Sequence, residues 1–279
     1  MSNNIINDRI VIPCVKGCGI GNILKGFISF LSINENTYVS YDNNYILGDY
    51  QNVFNEKHIF NQDSIPYHQF FSWRFLILKE EESTQQQLEN KITDFNHIKH
   101  INSEYDIFST TVAIDSFYNR KLISDKVYER IMVGINRISW NEQINTELKI
   151  LSDNIKHPAL GISVRTWESS HESGVTSYRT YDFTSYKNAI NNFIQNDSKN
   201  VNSIFISYDN DKVENDYLEL VKGFDVIVYK KPDHITNLQY VIIKMLLLSK
   251  CDYFVCNRIS TYSELVYWFG GCNQEVIDI

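Results

Sequence analysis

Arg165 ends one kind of sequence and begins another. In residues 159–171, ALGISVRTWESSH, Leu160, Ile162 and Val164 alternate with small residues behind Pro158, which is the pattern of a strand. A cation where a central strand leaves an open α/β sheet stands where such sheets bind ligands, and its planar fork of donors suits phosphate oxygens. The competing reading pairs Arg165 with a neighbouring carboxylate such as Glu168. Asp209 and Asp211 follow a second strand-like run, SIFISY, where a carboxylate could accept from a guanine or a ribose hydroxyl; capping of the next helix explains Asp211 equally well. The stretch Asn257-Arg258-Ile259-Ser260-Thr261-Tyr262-Ser263-Glu264 reads as a hydroxyl-rich helix start. Its N–H groups, the positive end of the helix dipole and its hydroxyls together make an anion cradle that needs no metal. N-capping by Ser260 accounts for one hydroxyl, not three.

Glycines offer another possible ligand loop. Behind the strand-like IVIPCV of residues 10–15, the run KGCGIGNILKG places Gly17, Gly19 and Gly21 in a tight turn that brings main-chain N–H groups near a ligand. The spacing is not a dinucleotide fingerprint, since Asn22 stands where a third glycine is needed. It is not a phosphate-binding P-loop either, because Phe27 and Ile28 replace the Lys and Ser/Thr. A purely structural turn explains these glycines as well as a ligand does.

The elements that must hold these groups follow from periodicity. Ile23, Phe27, Phe30 and Leu31 recur at helical spacing over residues 22–33, and TYVSY at 37–41 reads as a strand, giving one β-loop-α-β unit. Residues 67–78, YHQFFSWRFLIL, are aromatic, and core packing is preferred there over an acceptor pocket. His58, His68, His97 and His100 have no ligand spacing and read as structural. Ser124 is placed as the cap of a helix carrying Val127, Ile131, Ile135 and Ile138, and Ile144, Leu148, Leu151 and Ile155 mark another. Pro158 follows, so a domain boundary is expected near residue 157, separating 1–157 from 158–279. Beyond it, strands at 159–165, 203–208, 225–230 and 253–256 alternate with helices around Tyr186, Ile190 and Phe193, at 211–222, at 237–250, and from Ser260 onward. That alternation predicts an α/β fold with a parallel sheet covered on both faces, Rossmann-like in the C-terminal half.

The totals exclude several classes. A chain of 279 residues, 43% hydrophobic, can bury a large core, and a net charge of −8 argues against a nucleic-acid or anionic-membrane binder. Cys14, Cys18, Cys251, Cys256 and Cys272 lack zinc spacing and read as buried thiols, so no metal is expected. No signal-peptide pattern opens the chain, and residues 241–249 are too short and carry Lys244, so a cytoplasmic protein without a membrane span is expected.

Three of these blocks resemble the GT-B fucosyltransferases that use GDP-fucose, in the peptide O-fucosyl, α1,6 and α1,2 branches. GCGIGN is similar to the family's GxGN segment, with Asn22 on its asparagine. SVRTWE is similar to H-V-R-R-G-D, retaining Val164 and Arg165 while Ser163, Thr166, Trp167 and Glu168 depart from it. SKCDYFVCNRISTYSELVYW is similar to the D-x-F-I-G-N-x-x-S-S-F-S block, with Asn257, Ser260, Thr261 and Ser263 on matching positions. The resemblance implies a GT-B-like architecture of two Rossmann-like domains facing across a cleft, and metal-independent inverting transfer of L-fucose from GDP-fucose to a glycan or glycoconjugate hydroxyl. It needs no cofactor beyond the donor. Arg165 and the start of the last helix would then stabilise the departing diphosphate, with Arg258 or Arg179 standing in for the lost second arginine. Glu168 is the candidate base and His171 its substitute, while a structural or acceptor-binding role fits either of them as well. Gly19, Gly21 and Asn22 would line the cleft beside the nucleotide. Transfer of another nucleotide-bound sugar, or a non-catalytic nucleotide- or glycan-binding protein of the same fold, is the alternative.

Overall fold

The computed structural model describes residues 9–13, 20–32, 34–40, 52–60, 67–69, 120–122, 125–167, 181–195, 200–257 and 260–279. They divide into two compact units, one built from residues 1–144 with 236–239 and the other from 145–235 with 240–279.

In the first unit, β1 (Arg9–Pro13) lies between β2 (Thr37–Ser40) and β3 (Tyr67–Gln69), parallel to both. Helix α1 (Ile20–Leu31) starts two residues earlier than the periodicity predicts and takes Gly21 into its first turn, buried, so Gly21 is helical rather than part of the turn. Asn22 lies in the same turn, and Gly19 lies outside the described residues. Ile23, Phe27, Phe30 and Leu31 are all buried, as their spacing requires. Helix α2 (Asp125–Arg137) crosses α1 closely enough that a Cβ on Gly134 would stand 2.3 Å from the carbonyl oxygen of Ile28. Arg137, at the end of α2, donates to the Leu31 carbonyl that closes α1 and pairs with Glu35 at 2.9 Å. His58 is buried among Phe27 and Phe54 and accepts the Ser139 N–H at 2.9 Å, which makes it structural.

Helix α3 (Glu142–Ser152) carries the division between the units at residue 144, ahead of the expected 157. Its later turns belong with the second unit because Glu147 accepts the Tyr229 hydroxyl at 3.0 Å. The second unit is a five-stranded sheet, all parallel, built from β4 (Ala159–Val164), β5 (Ser203–Tyr208), β6 (Val226–Val228), β7 (Tyr253–Cys256) and β8 (Glu275–Asp278) in the order β6-β5-β4-β7-β8. Strand β8 was not anticipated: its few residues mix charged and apolar side chains at the end of the chain, and only pairing with β7 defines it.

Two faces follow from the alternation along β4. Leu160, Ile162 and Val164 point into a core shared with Tyr186, Ile190 and Phe193 of α4 (Phe183–Ile194) and Tyr217 of α5 (Glu214–Leu220). Gly161 points the other way, where a Cβ would meet Leu248 Cδ2 at 3.1 Å and Cys251 Sγ at 3.2 Å. Helix α6 (Asn237–Leu248) therefore covers the opposite face, and α7 (Thr261–Phe269) joins it there, since the Tyr262 hydroxyl donates to the Val241 carbonyl of α6 at 3.2 Å. The predicted helix at 211–222 is instead a 3-10 turn, Asp211–Val213, followed by α5. Among the described residues, no helix is long and apolar enough to cross a membrane.

Candidate functional site

Strand order locates the site before any side chain does. From β4 the chain passes through α4 to β5 on one side, whereas from β7 it passes through α7 to β8 on the other, and these helices lie on opposite faces. The two connections diverge above the C-terminal ends of β4 and β7, which is the switch point where open parallel sheets leave a crevice. Ser163 stands opposite Cys256 in the register, so Arg165 and Asn257 flank that point from its two sides.

Arg165 is held on several sides. Its backbone N–H donates to the Tyr186 hydroxyl at 3.0 Å, and that hydroxyl donates to the Ser163 carbonyl at 3.1 Å. Burial pushes the Tyr186 phenol up, so it stays neutral and able to donate. The guanidinium Nη1 donates to Asp209 Oδ2 at 2.7 Å. The other carboxylate oxygen, Oδ1, accepts from both the N–H and the hydroxyl of Thr166, at 2.9 Å each. The side chains of Arg165 and Asp209 are 22% and 17% exposed, so the pair is sheltered and yet open to a ligand from solvent. Trp167 then adopts φ 60°, strained for a residue with a Cβ, with its ring 4.9 Å below the Arg165 guanidinium carbon. It stands where the resembled motif carries glycine, which takes that conformation without strain.

Among the described residues, Asp209 is a carboxylate beside Arg165, brought there by the β4–β5 register; Glu168 and His171 lie outside the described residues. Asp209, expected to accept from the nucleotide, has both oxygens hydrogen-bonded to Arg165 and Thr166 and so also shapes the turn. Asp211 is exposed and opens the 3-10 turn, with Asn210 as the cap that accepts the Lys212 N–H at 3.1 Å.

On the other side of the switch point, Ser260 caps α7 by accepting the Ser263 N–H at 3.4 Å. Ser260 and Ser263 are buried, whereas Thr261 is partly exposed, so the three hydroxyls divide between shaping the tip and facing outward. Asn257 is half-buried, and its carbonyl accepts the Ser260 N–H at 3.2 Å; Arg258 lies outside the described residues. Tyr262 lies close enough to Arg165 for the guanidinium charge to act on its phenol.

Sequence reasoning missed Lys244, noted only as the break in an apolar run. It is buried in α6, its Nζ donates to the Tyr208 carbonyl at 2.8 Å, and it sits 4.2 Å from the centre of the Tyr240 ring. Burial lowers its ammonium to about 8, with Asp209 and Asp211 pulling the other way. A lysine amid isoleucines and leucines was the available signal. Among the described residues, no group of three or more His, Cys, Asp or Glu side chains is placed to hold a metal ion.

No family model matches the sequence, and no curated protein matches it. Solved structures do match. Fucosyltransferase NodZ from Bradyrhizobium superposes with a TM-score of 0.51 at 14% identity, over 93% of this chain and 92% of that one. NodZ α-1,6-fucosyltransferase soaked with GDP-fucose gives 0.51 at 14%, over 94% and 93%. POFUT1 in complex with GDP-fucose gives 0.52 at 11%, over 100% and 99%. The chain therefore has a mixed α/β fold with parallel sheets like that of the GDP-fucose-dependent fucosyltransferases.

Proposed function

We propose that the protein is a glycosyltransferase that moves L-fucose from GDP-fucose to a hydroxyl of a glycan or glycoconjugate, its two units forming the Rossmann-like pair of a GT-B enzyme. The observation that carries this reading is the placement of Arg165 and the start of α7 on the two sides of one switch point. The fold it shares with proteins crystallised with GDP-fucose supports the choice of donor.

The chemistry follows from where charge develops. The bond between the anomeric carbon and the diphosphate oxygen breaks, and its electron pair leaves with GDP. The Arg165 fork and the positive end of α7 stabilise that growing charge more than the ground state. These are protein charges, so transfer proceeds without a metal. The acceptor oxygen attacks from the opposite face, inverting the centre, and its proton passes to Glu168 or, failing that, His171. Asn257, Arg258, Ser260, Thr261 and Ser263 complete the diphosphate side of the nucleotide site, and Gly19, Gly21 and Asn22 are proposed as further nucleotide-binding residues.

A nucleotide panel tests this reading. GDP should raise the melting temperature and UDP should not, and GDP-fucose should slowly release GDP in a reaction abolished by Arg165→Ala in a variant that still folds. Stabilisation by UDP would point to another nucleotide sugar. Stabilisation by GDP without any release would favour a non-catalytic binder, a reading that the departures at Ser163, Thr166, Trp167 and Glu168 support. If no nucleotide binds, the proposal fails.

A further inference from the structure

An ammonium taken out of water costs several kcal/mol unless something compensates it, and such groups concentrate where a site needs their charge. Lys244 is such a group. Its Nζ holds the last carbonyl of β5, that of Tyr208, at 2.8 Å, and the next residue along the chain is Asp209, whose carboxylate orients Arg165. The groups facing it are Tyr208 and Asp209 from the end of β5, Asp211 from the following turn, and Tyr240 from its own helix; Tyr262 of α7 interacts in turn with Tyr240.

We propose that Lys244 is a positioning residue for the anion site, pinning the end of β5 and supplying positive charge that offsets the Asp209 carboxylate beside a bound diphosphate. The inference rests on the nucleotide-binding reading above. Its logic is charge balance. Among the described side chains, the charges of Arg165 and Asp209 cancel, so the Asp209 carboxylate offsets the cation that a diphosphate would meet. Adding Lys244 leaves these three described groups with one net positive charge, while Asp211 is exposed and screened by water. Lys244 is buried, so it acts through the field and through the backbone of β5, and not by touching the ligand.

Protonation of Lys244 and binding of a diphosphate are then linked. The folded-state value of about 8 lies below that of an exposed lysine, so the ammonium is charged at pH 7 and lost as the pH rises to 9. A bound anion should raise that value and draw in a proton. The test measures the affinity of GDP for wild-type protein and for Lys244→Met between pH 7 and 9, with the ratio of the two curves removing the titrations of GDP itself. We expect the variant to bind about tenfold more weakly at pH 7, and the ratio to approach one by pH 9. Calorimetry on the wild-type protein alone, at pH 8 in two buffers of different ionisation enthalpy, should show uptake of a fraction of a proton on binding, so the test survives if the variant does not fold. A ratio that is flat with pH, together with no proton uptake, overturns the role of Lys244 and leaves nucleotide binding intact. Absence of GDP binding by the wild-type protein overturns both.

Discussion

Asp209 accepts the Arg165 guanidinium on one carboxylate oxygen at 2.7 Å while its other oxygen gathers the N–H and hydroxyl of Thr166. One carboxylate thus fixes both the direction of the cation and the backbone that carries it. On the proposed reading, its charge would oppose an incoming diphosphate while its geometry would aim Arg165 at one.

Those opposed effects make Asp209→Asn informative. An amide of the same shape keeps an acceptor for Thr166 but turns donors toward the guanidinium, which should cost about 1–3 kcal/mol of stability in urea denaturation. Loss of repulsion and loss of orientation nearly cancel in the ground state, so GDP affinity should change by less than about threefold. Release of GDP from GDP-fucose, which depends on aim in the transition state, should fall by about tenfold or more. A variant that loses affinity and rate equally would show that Asp209 serves binding alone.

Gly161 tests how the sheet admits α6. A Cβ there meets Leu248 and Cys251 at 3.1–3.2 Å, closer than side chains pack without shifting. Gly161→Val should lower stability by about 1–3 kcal/mol, and Gly161→Ala by less. Pairing Gly161→Ala with Leu248→Ala should recover part of the loss, giving a non-zero coupling in a double-mutant cycle. Strictly additive losses would place the strain elsewhere.

His58 predicts an acid-sensitive first unit. Burial, helped by the charge of Lys57, lowers its value from 6.5 to about 4. Because the folded value lies below the unfolded one, the unfolded chain takes up the proton first. The His58 contribution is therefore complete above pH 6.5 and lost as the pH falls toward 4. At pH 5 the loss should be on the order of 2 kcal/mol by chemical denaturation. His58→Gln retains an acceptor for the Ser139 N–H without a proton to gain, and should flatten that part of the curve. Parallel profiles for the two proteins would assign the acid loss to other groups.

The sequence by itself determined the elements whose signals are local. The apolar alternation of β4 and β5, and the buried stripe of Tyr186, Ile190 and Phe193, follow from the chain's own periods of 2 and 3.6. Arg165 and Ser260 were legible because each sits where an apolar run ends in polar residues. Tertiary structure decided what depends on neighbours distant in sequence. Asp209 is a partner of Arg165 because parallel register sets Val164 against Tyr208, so the residues after them emerge side by side. Strand β8 exists because β7 offers an edge to pair with, and Lys244 matters because helix α6 lies across the end of β5. Local periodicity states which way a side chain points, and only the order and register of the strands state what it meets there.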